Sequence, residues 1–192
     1  MALAILVVWF VAALAAGATG LVTHLQPPLP QALLFLLTAA ALTASWSVPS
    51  LKTWVGALSL ESLVAVHLTR LVGIYFLVLY RAGRLPHAFA VPCGWGDILT
   101  ASWAAALLVL AQPLASRRRL VYAWNLFGLI DILFVVFTAG RLAHADPGSM
   151  AELLRLPLSL LPTFLVPLII ASHAIVLAKL RTGGTASQEL RV

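Results

Sequence analysis

Charge is what this sequence has least of. Six Asp and Glu residues and twelve Lys and Arg residues make up 9% of its 192 positions, where an ordinary soluble domain carries about 25%. That shortage excludes a water-facing globular surface, because 62% of the residues are hydrophobic and the mean hydropathy is +1.03. Cysteine is almost missing as well. With Cys93 alone, there is no intrachain disulfide and no cysteine-built metal cluster. Three catalytic motifs are also lacking: a Gly-Lys-Ser/Thr phosphate loop, a His-Glu-x-x-His zinc site and a Gly-x-Ser-x-Gly elbow. The polar stretches between apolar runs are short and leave no room for a catalytic domain.

What the chain has instead is a succession of long apolar runs. At ~20 residues per crossing, they predict an all-α polytopic membrane protein, a bundle of about six transmembrane helices with short loops in one transmembrane domain over residues 1–192. The predicted spans are 2–23, 31–47, 59–80, 97–114, 120–142 and 158–180. Residues 51–58 read as an interfacial lead-in to the third span, with Trp54 at headgroup level. Ser149-Met150-Ala151-Glu152 reads as a capping box, in which serine and glutamate satisfy each other's orphan backbone donors. Residues 2–15 followed by Ala-Ala-Gly-Ala look like a signal peptide and its cleavage site. No Lys or Arg precedes them, however, and the apolar character continues to Val22, so residues 1–20 are read as a retained first helix.

A pI near 10.5 would suggest nucleic acid in a soluble protein. Here the basic residues mostly lie between apolar runs, where the lipid bilayer is the partner they address and nucleic acid is not. With six crossings, one side holds Lys52, Arg117, Arg118, Arg119, Lys179, Arg181 and Arg191, and the other holds Arg81, Arg84, Arg141 and Arg155. The excess places both termini in the cytoplasm of a bacterial-type inner membrane.

Against this apolar background, the ionisable groups inside spans stand out. Arg70 lies eleven residues past Ser59 and Asp131 eleven past Leu120, on spans of the same direction. At ~1.5 Å per residue both sit about 16 Å deep, close to the midplane. Opposite charge at matching depth predicts an ion pair, since a lone charge there costs several kcal/mol. Trp124, Gly128 and Asp131 share one stripe of the fifth span, with Asn125 pointing partly the same way. The glycine allows a neighbouring helix to approach closely. Trp124 itself reads as an aromatic near the inner boundary.

His67 precedes Arg70 by three residues, and His173 lies at comparable depth on the sixth span. Two such imidazoles match the axial ligand set of a b-type haem. The plainer alternative is that each histidine bonds a backbone carbonyl or a hydroxyl such as Ser172 or Thr163. A two-histidine, one-carboxylate metal set of His67, His173 and Asp131 would compete with the Arg70 pair. Pro162 and Pro167 interrupt the sixth span, as prolines do in carriers and also in many inert membrane helices. Asp97 reads as an outer-surface residue that caps the fourth span behind Gly94-Trp95-Gly96 and can pair with Arg81 or Arg84.

Three functional classes follow. The first is a small carrier or proton-coupled membrane component that uses Arg70, Asp131, His67, His173 and Asn125 as a polar pathway for a small solute or a proton. The second is an electron-transfer protein with haem b held by His67 and His173. The third is a structural or assembly subunit whose polar cluster only locks the bundle. The carrier class leads, because five polar groups and two helix prolines exceed what one register lock requires.

Overall fold

The computed structural model describes residues 1–189, with side chains described to Arg181. Arg191, counted above in the charge balance, lies outside the described residues. Among them there are helices and turns and no strand. Eight α-helices occur in chain order: α1 (Ala2–Ala18), α2 (Leu29–Ser47), α3 (Pro49–Ala57), α4 (Leu60–Ala65), α5 (Val72–Arg81), α6 (His87–Leu110), α7 (Arg118–Ala145) and α8 (Val166–Glu189). A 3₁₀ stretch, Val66–Leu71, joins α4 to α5 so that Leu60–Arg81 runs as one rod. A single π-helical turn, Leu161–Leu165, leads into α8.

Among the described residues five segments are long and apolar enough to cross a membrane: Leu29–Ser47, Leu60–Arg81, His87–Leu110, Leu114–Ala145 and Leu161–Arg181. The apolar first helix, Ala2–Ala18, is shorter. Residues of α1 and α7 show which way the molecule faces. Val8 and Val11 of α1, and Ile130, Phe134 and Phe137 of α7, are all exposed, while Arg70, Asp97, Asn125, His67 and His173 are buried. A greasy outside around a polar inside is the reverse of what water selects. Burial is otherwise by two apolar clusters, one around Phe76, Phe89 and Ile132, the other around Trp124, Leu107 and Val176.

Successive segments alternate in direction, and polar contacts tie each end. At one end the Arg84 guanidinium bonds Glu152 at 2.7 Å, joining the 82–86 turn to the 147–154 segment. At the other end the Leu114 N–H donates to Glu61 Oε1 (3.1 Å) and Lys179 Nζ donates to the Gly56 carbonyl (2.7 Å). The Leu60–Arg81 rod and α6 approach so closely at Gly73 and Gly94 that a Cβ on Gly94 would come within 2.9 Å of the Gly73 carbonyl oxygen. Small residues allow two helix backbones to touch in this way.

Several local readings of the sequence differ in the structure. The fourth span does not begin at Asp97. Pro86 caps α6, the helix starts at His87, and Pro92 sits inside it. The Gly-Trp-Gly stretch is part of the helix and not a turn, and Gly94 and Gly96 face neighbouring helices, at Gly73 and at Asp131. The expected capping box at Ser149 is absent. Asp146 caps the 3₁₀ helix Pro147–Leu154 through the Gly148 N–H, and Glu152 instead holds Arg84 and Arg155. The first helix ends at Ala18, where Gly20 takes a left-handed φ of 73° and turns the chain into a short 3₁₀ segment.

Pro167 of the last segment is accommodated by a specific partner. Pro167 has no N–H for the Thr163 carbonyl one turn earlier. The indole N–H of Trp9 donates to that oxygen instead, at 2.9 Å, with Trp9 packed edge-on against Phe164. An unpaired buried carbonyl costs about 1–3 kcal/mol. Trp9→Phe should therefore lower unfolding stability in detergent by that amount, and Pro167→Ala in the same chain should recover much of the loss by returning a backbone donor. A double-mutant cycle of chemical unfolding measures the coupling.

Candidate functional site

Arg70, Asp97 and Asp131 each lie within two residues of the midpoint of their own segment, Leu60–Arg81, His87–Leu110 and Arg118–Ala145. Equal depth on three packed rods brings them together. Arg70 is 1% exposed. Its Nε donates to Asp97 Oδ1 at 2.6 Å, its Nη1 to the Gly128 carbonyl at 2.8 Å, and its Nη2 pairs with Asp131 Oδ2. One guanidinium thus bridges two carboxylates and a backbone oxygen from two other helices. Asp97 is 3% exposed, and the Asp131 side chain 11%.

Two glycines make room for this. A Cβ on Gly96 would fall on the Asp131 carboxylate. A Cβ on Gly128 would come within 2.8 Å of His173 Cε1 and 2.9 Å of Thr100 Cγ2. Both positions need the absence of a side chain, not a special backbone angle.

The histidines stand beside the triad. His67 and Arg70 occupy the 3₁₀ stretch, where residues three apart eclipse, so both side chains leave the rod on one face. The two imidazole centroids are 4.2 Å apart. Hydrogen-bond partners assign a proton on each ring. Ser172 Oγ donates its only proton to the Ile169 carbonyl (2.8 Å) and so accepts from His67 Nε2 (3.0 Å). Asn125 donates its amide to the His173 carbonyl (3.2 Å), which leaves Asn125 Oδ1 to accept from His173 Nδ1 (2.8 Å). The remaining nitrogens, His67 Nδ1 and His173 Nε2, are buried and have no hydrogen-bond partner.

Trp124 completes the wall. It is fully buried, its indole donates to the Thr100 carbonyl at 3.1 Å, and His67 packs edge-on against it with centroids 4.8 Å apart. This corrects its reading as a boundary aromatic: Trp124 lies on the Gly128–Asp131 stripe, and that stripe faces the bundle interior.

Of the residues singled out in the sequence, Arg70, Asp131, His67, His173 and Asn125 converge here. Asp97 joins them, against the expectation of an outer cap that pairs with Arg81 or Arg84. Its partner is Arg70, because α6 begins ten residues earlier than expected and carries Asp97 to mid-helix. The signal was present in the sequence: His87 to Leu110 is 24 residues long with Asp97 near its centre, and Pro92, Gly94 and Gly96 argued against a helix there. Thr100 had no such signal.

The histidine arrangement does not fit a bis-histidine haem. Axial imidazoles address the iron end-on from opposite faces, with the macrocycle between them. Here the ring centroids are 4.2 Å apart, which leaves no room for a macrocycle between them. Among the described residues no three His, Cys, Asp or Glu side chains gather as a metal-binding set, so His67, His173 and Asp131 do not form one.

The class defined by this fold and site is an all-helical protein with apolar rods around a buried charged triad. The chain belongs to the family described as a domain of unknown function (DUF8737), which matches residues 27–181. That range contains every residue of the cluster and leaves out α1. No curated protein and no solved structure matches the chain.

Two outcomes are expected from the site. Arg70→Leu alone should cost about 3–5 kcal/mol by leaving two buried carboxylates unpaired, while Arg70→Leu with Asp97→Leu and Asp131→Leu should recover much of it. Thermal unfolding in detergent compares them. Protein purified with haem supplied should show no Soret band that depends on His67 or His173, which oxidised and dithionite-reduced spectra would test.

Proposed function

We propose that this chain is a multi-pass membrane protein in which the Arg70–Asp97–Asp131 triad exchanges a proton, as a small carrier or proton-coupled membrane component. The observation that carries this reading is the charge count. With all three groups ionised, one cation faces two anions. One proton makes the triad neutral, and at mid-membrane depth a net charge costs several kcal/mol. Two further features support it. His67 Nδ1 and His173 Nε2 are acceptors without partners next to the triad, and imidazoles relay protons. The 3₁₀ and π turns lie on the two segments that carry those histidines, and such irregular turns mark places where a helix rearranges.

Six crossings agree with the alternation of the segments. At ~1.5 Å per residue, the 17 residues of α1 span about 26 Å, close to the apolar thickness of a bilayer. Lys52 and Arg117–Arg119 lie toward the end where Lys179 meets Gly56, and Arg84 and Arg155 at the end where Glu152 holds them. By the positive-inside rule the first end is cytoplasmic in a bacterial-type inner membrane, together with both termini.

A structural reading is favoured by one observation of its own: the triad is fully paired and rests on glycine contacts that fix helix register. The two readings separate in proteoliposomes. If the triad exchanges a proton, the intact protein carries a proton flux that Asp131→Asn abolishes while the variant keeps its fold and yield. Equal flux from protein and variant, or none from either, would leave the register lock as the surviving role.

A further inference from the structure

The seam between α6 and α7 opens outward at the height of the triad. Gly96 of α6 lies against Asp131 of α7, where a Cβ would fall on the carboxylate oxygen Oδ1. Around this contact Trp95 and Leu99 of α6, and Phe127, Ile130 and Phe134 of α7, are all exposed. Asp131 is the member of the triad that reaches this surface. Its side chain is 11% exposed, against 1% for Arg70 and 4% for Asp97.

Two polar groups at this seam have no partner among the described residues. Arg70 takes Asp131 Oδ2, and Oδ1 accepts no hydrogen bond. Oδ1 is not shut in either, since the buried polar atoms that lack partners belong to Gln31, Ser50, His67, Ser159 and His173. The indole N–H of Trp95 donates to nothing, whereas those of Trp9 and Trp124 each meet a carbonyl. At ~1.5 Å per residue, Trp95 stands about 5 Å from the middle of α6. That is far from the headgroup level, where membrane tryptophans keep their polar end wet. Hydrocarbon offers neither group a substitute for a partner.

The donor and the acceptor stand at one height on one seam, yet they do not meet within one chain. Successive residues of an α-helix point about 100° apart. With Gly96 turned to Asp131, Trp95 turns outward. A two-fold axis parallel to the helices resolves this, because it sets each indole over the other copy's carboxylate. The patch carries both halves of the bond, which is what a self-complementary interface requires.

We propose that two copies of this chain pair through the α6–α7 seam, the Trp95 indole of each donating to Asp131 Oδ1 of the other. This rests on the multi-pass membrane reading and holds with or without proton exchange. It gives the triad a hydrogen-bond donor that a single chain does not supply.

Energy transfer between copies in liposomes tests it. Green and red dyes on Ser116→Cys, an exposed position, in a Cys93→Ala chain report association as the protein is diluted with lipid. The chain should dimerise reversibly. Trp95→Phe keeps an aromatic ring and removes both bonds between copies, so the dimer dissociation constant should rise about tenfold. Ile130→Trp, which thickens the seam, should raise it at least as far. Val8→Trp, on the exposed face of α1, should leave it unchanged. Dicyclohexylcarbodiimide reaches carboxyl groups from the hydrocarbon, and peptide mass spectrometry locates its adducts. It should modify Asp131 in the diluted protein and spare it in the dimer. No association at any dilution, association indifferent to Trp95→Phe, or equal modification of Asp131 at both densities would overturn the pairing. Release of the protein from native membranes by a carbonate wash, measured before reconstitution, would overturn the membrane reading instead.

Discussion

A guanidinium buried at the middle of three helices sets the terms for everything around it. Arg70 cannot shed its charge in a protein, and at its depth no solvent screens it. It must therefore be met by anions, and it is met by two, from α6 and α7, with the Gly128 carbonyl filling a third direction. Replacing such a set with apolar groups of similar volume is often neutral or stabilising, whereas removing one member is strongly destabilising. The set is therefore weak evidence for stability.

The rest of the packing reads as accommodation of that contact. Gly73 and Gly94 let the Leu60–Arg81 rod lie against α6, Gly96 leaves space for the Asp131 carboxylate, and Gly128 leaves space for the His173 ring. The 3₁₀ stretch aims His67 and Arg70 the same way. Trp9 repairs the hydrogen bond that Pro167 forgoes, so α1, outside the matched family region, is nonetheless joined to the segment that carries His173. Among the described residues five buried side-chain polar atoms lack a partner, and two of them are imidazole nitrogens beside the triad.

Much of this could be read from the residues alone. Scarce charge and long apolar runs determined the helical class, because only a helix satisfies its own backbone in a setting that offers no water. The depth of Arg70 and Asp131 pointed to their pairing, and His67 and His173 to each other's neighbourhood, because rise per residue converts sequence position into height. The capping box at Ser149 and the boundary role of Trp124 were misread for one reason: each was assigned from local pattern, and in both places a partner distant in sequence, Arg84 for Glu152 and Thr100 for Trp124, decided the outcome.

Sequence therefore determined the helical class and the height of Arg70, Asp131 and the two histidines, since these follow from periodicity and helical rise along a single segment, but it set Asp97 at the end of its helix and not at the middle. Tertiary structure decided which groups meet. Asp97 became the second partner of Arg70 because α6 continues through Pro92, and because Gly73 and Gly94 draw two rods into contact. The histidine rings touch each other, where a haem would have held them apart, because Gly128 lacks the carbon that would push His173 away. Azimuth around a helix axis and the distance between axes are set by side chains on other helices, and no local stretch of residues encodes them.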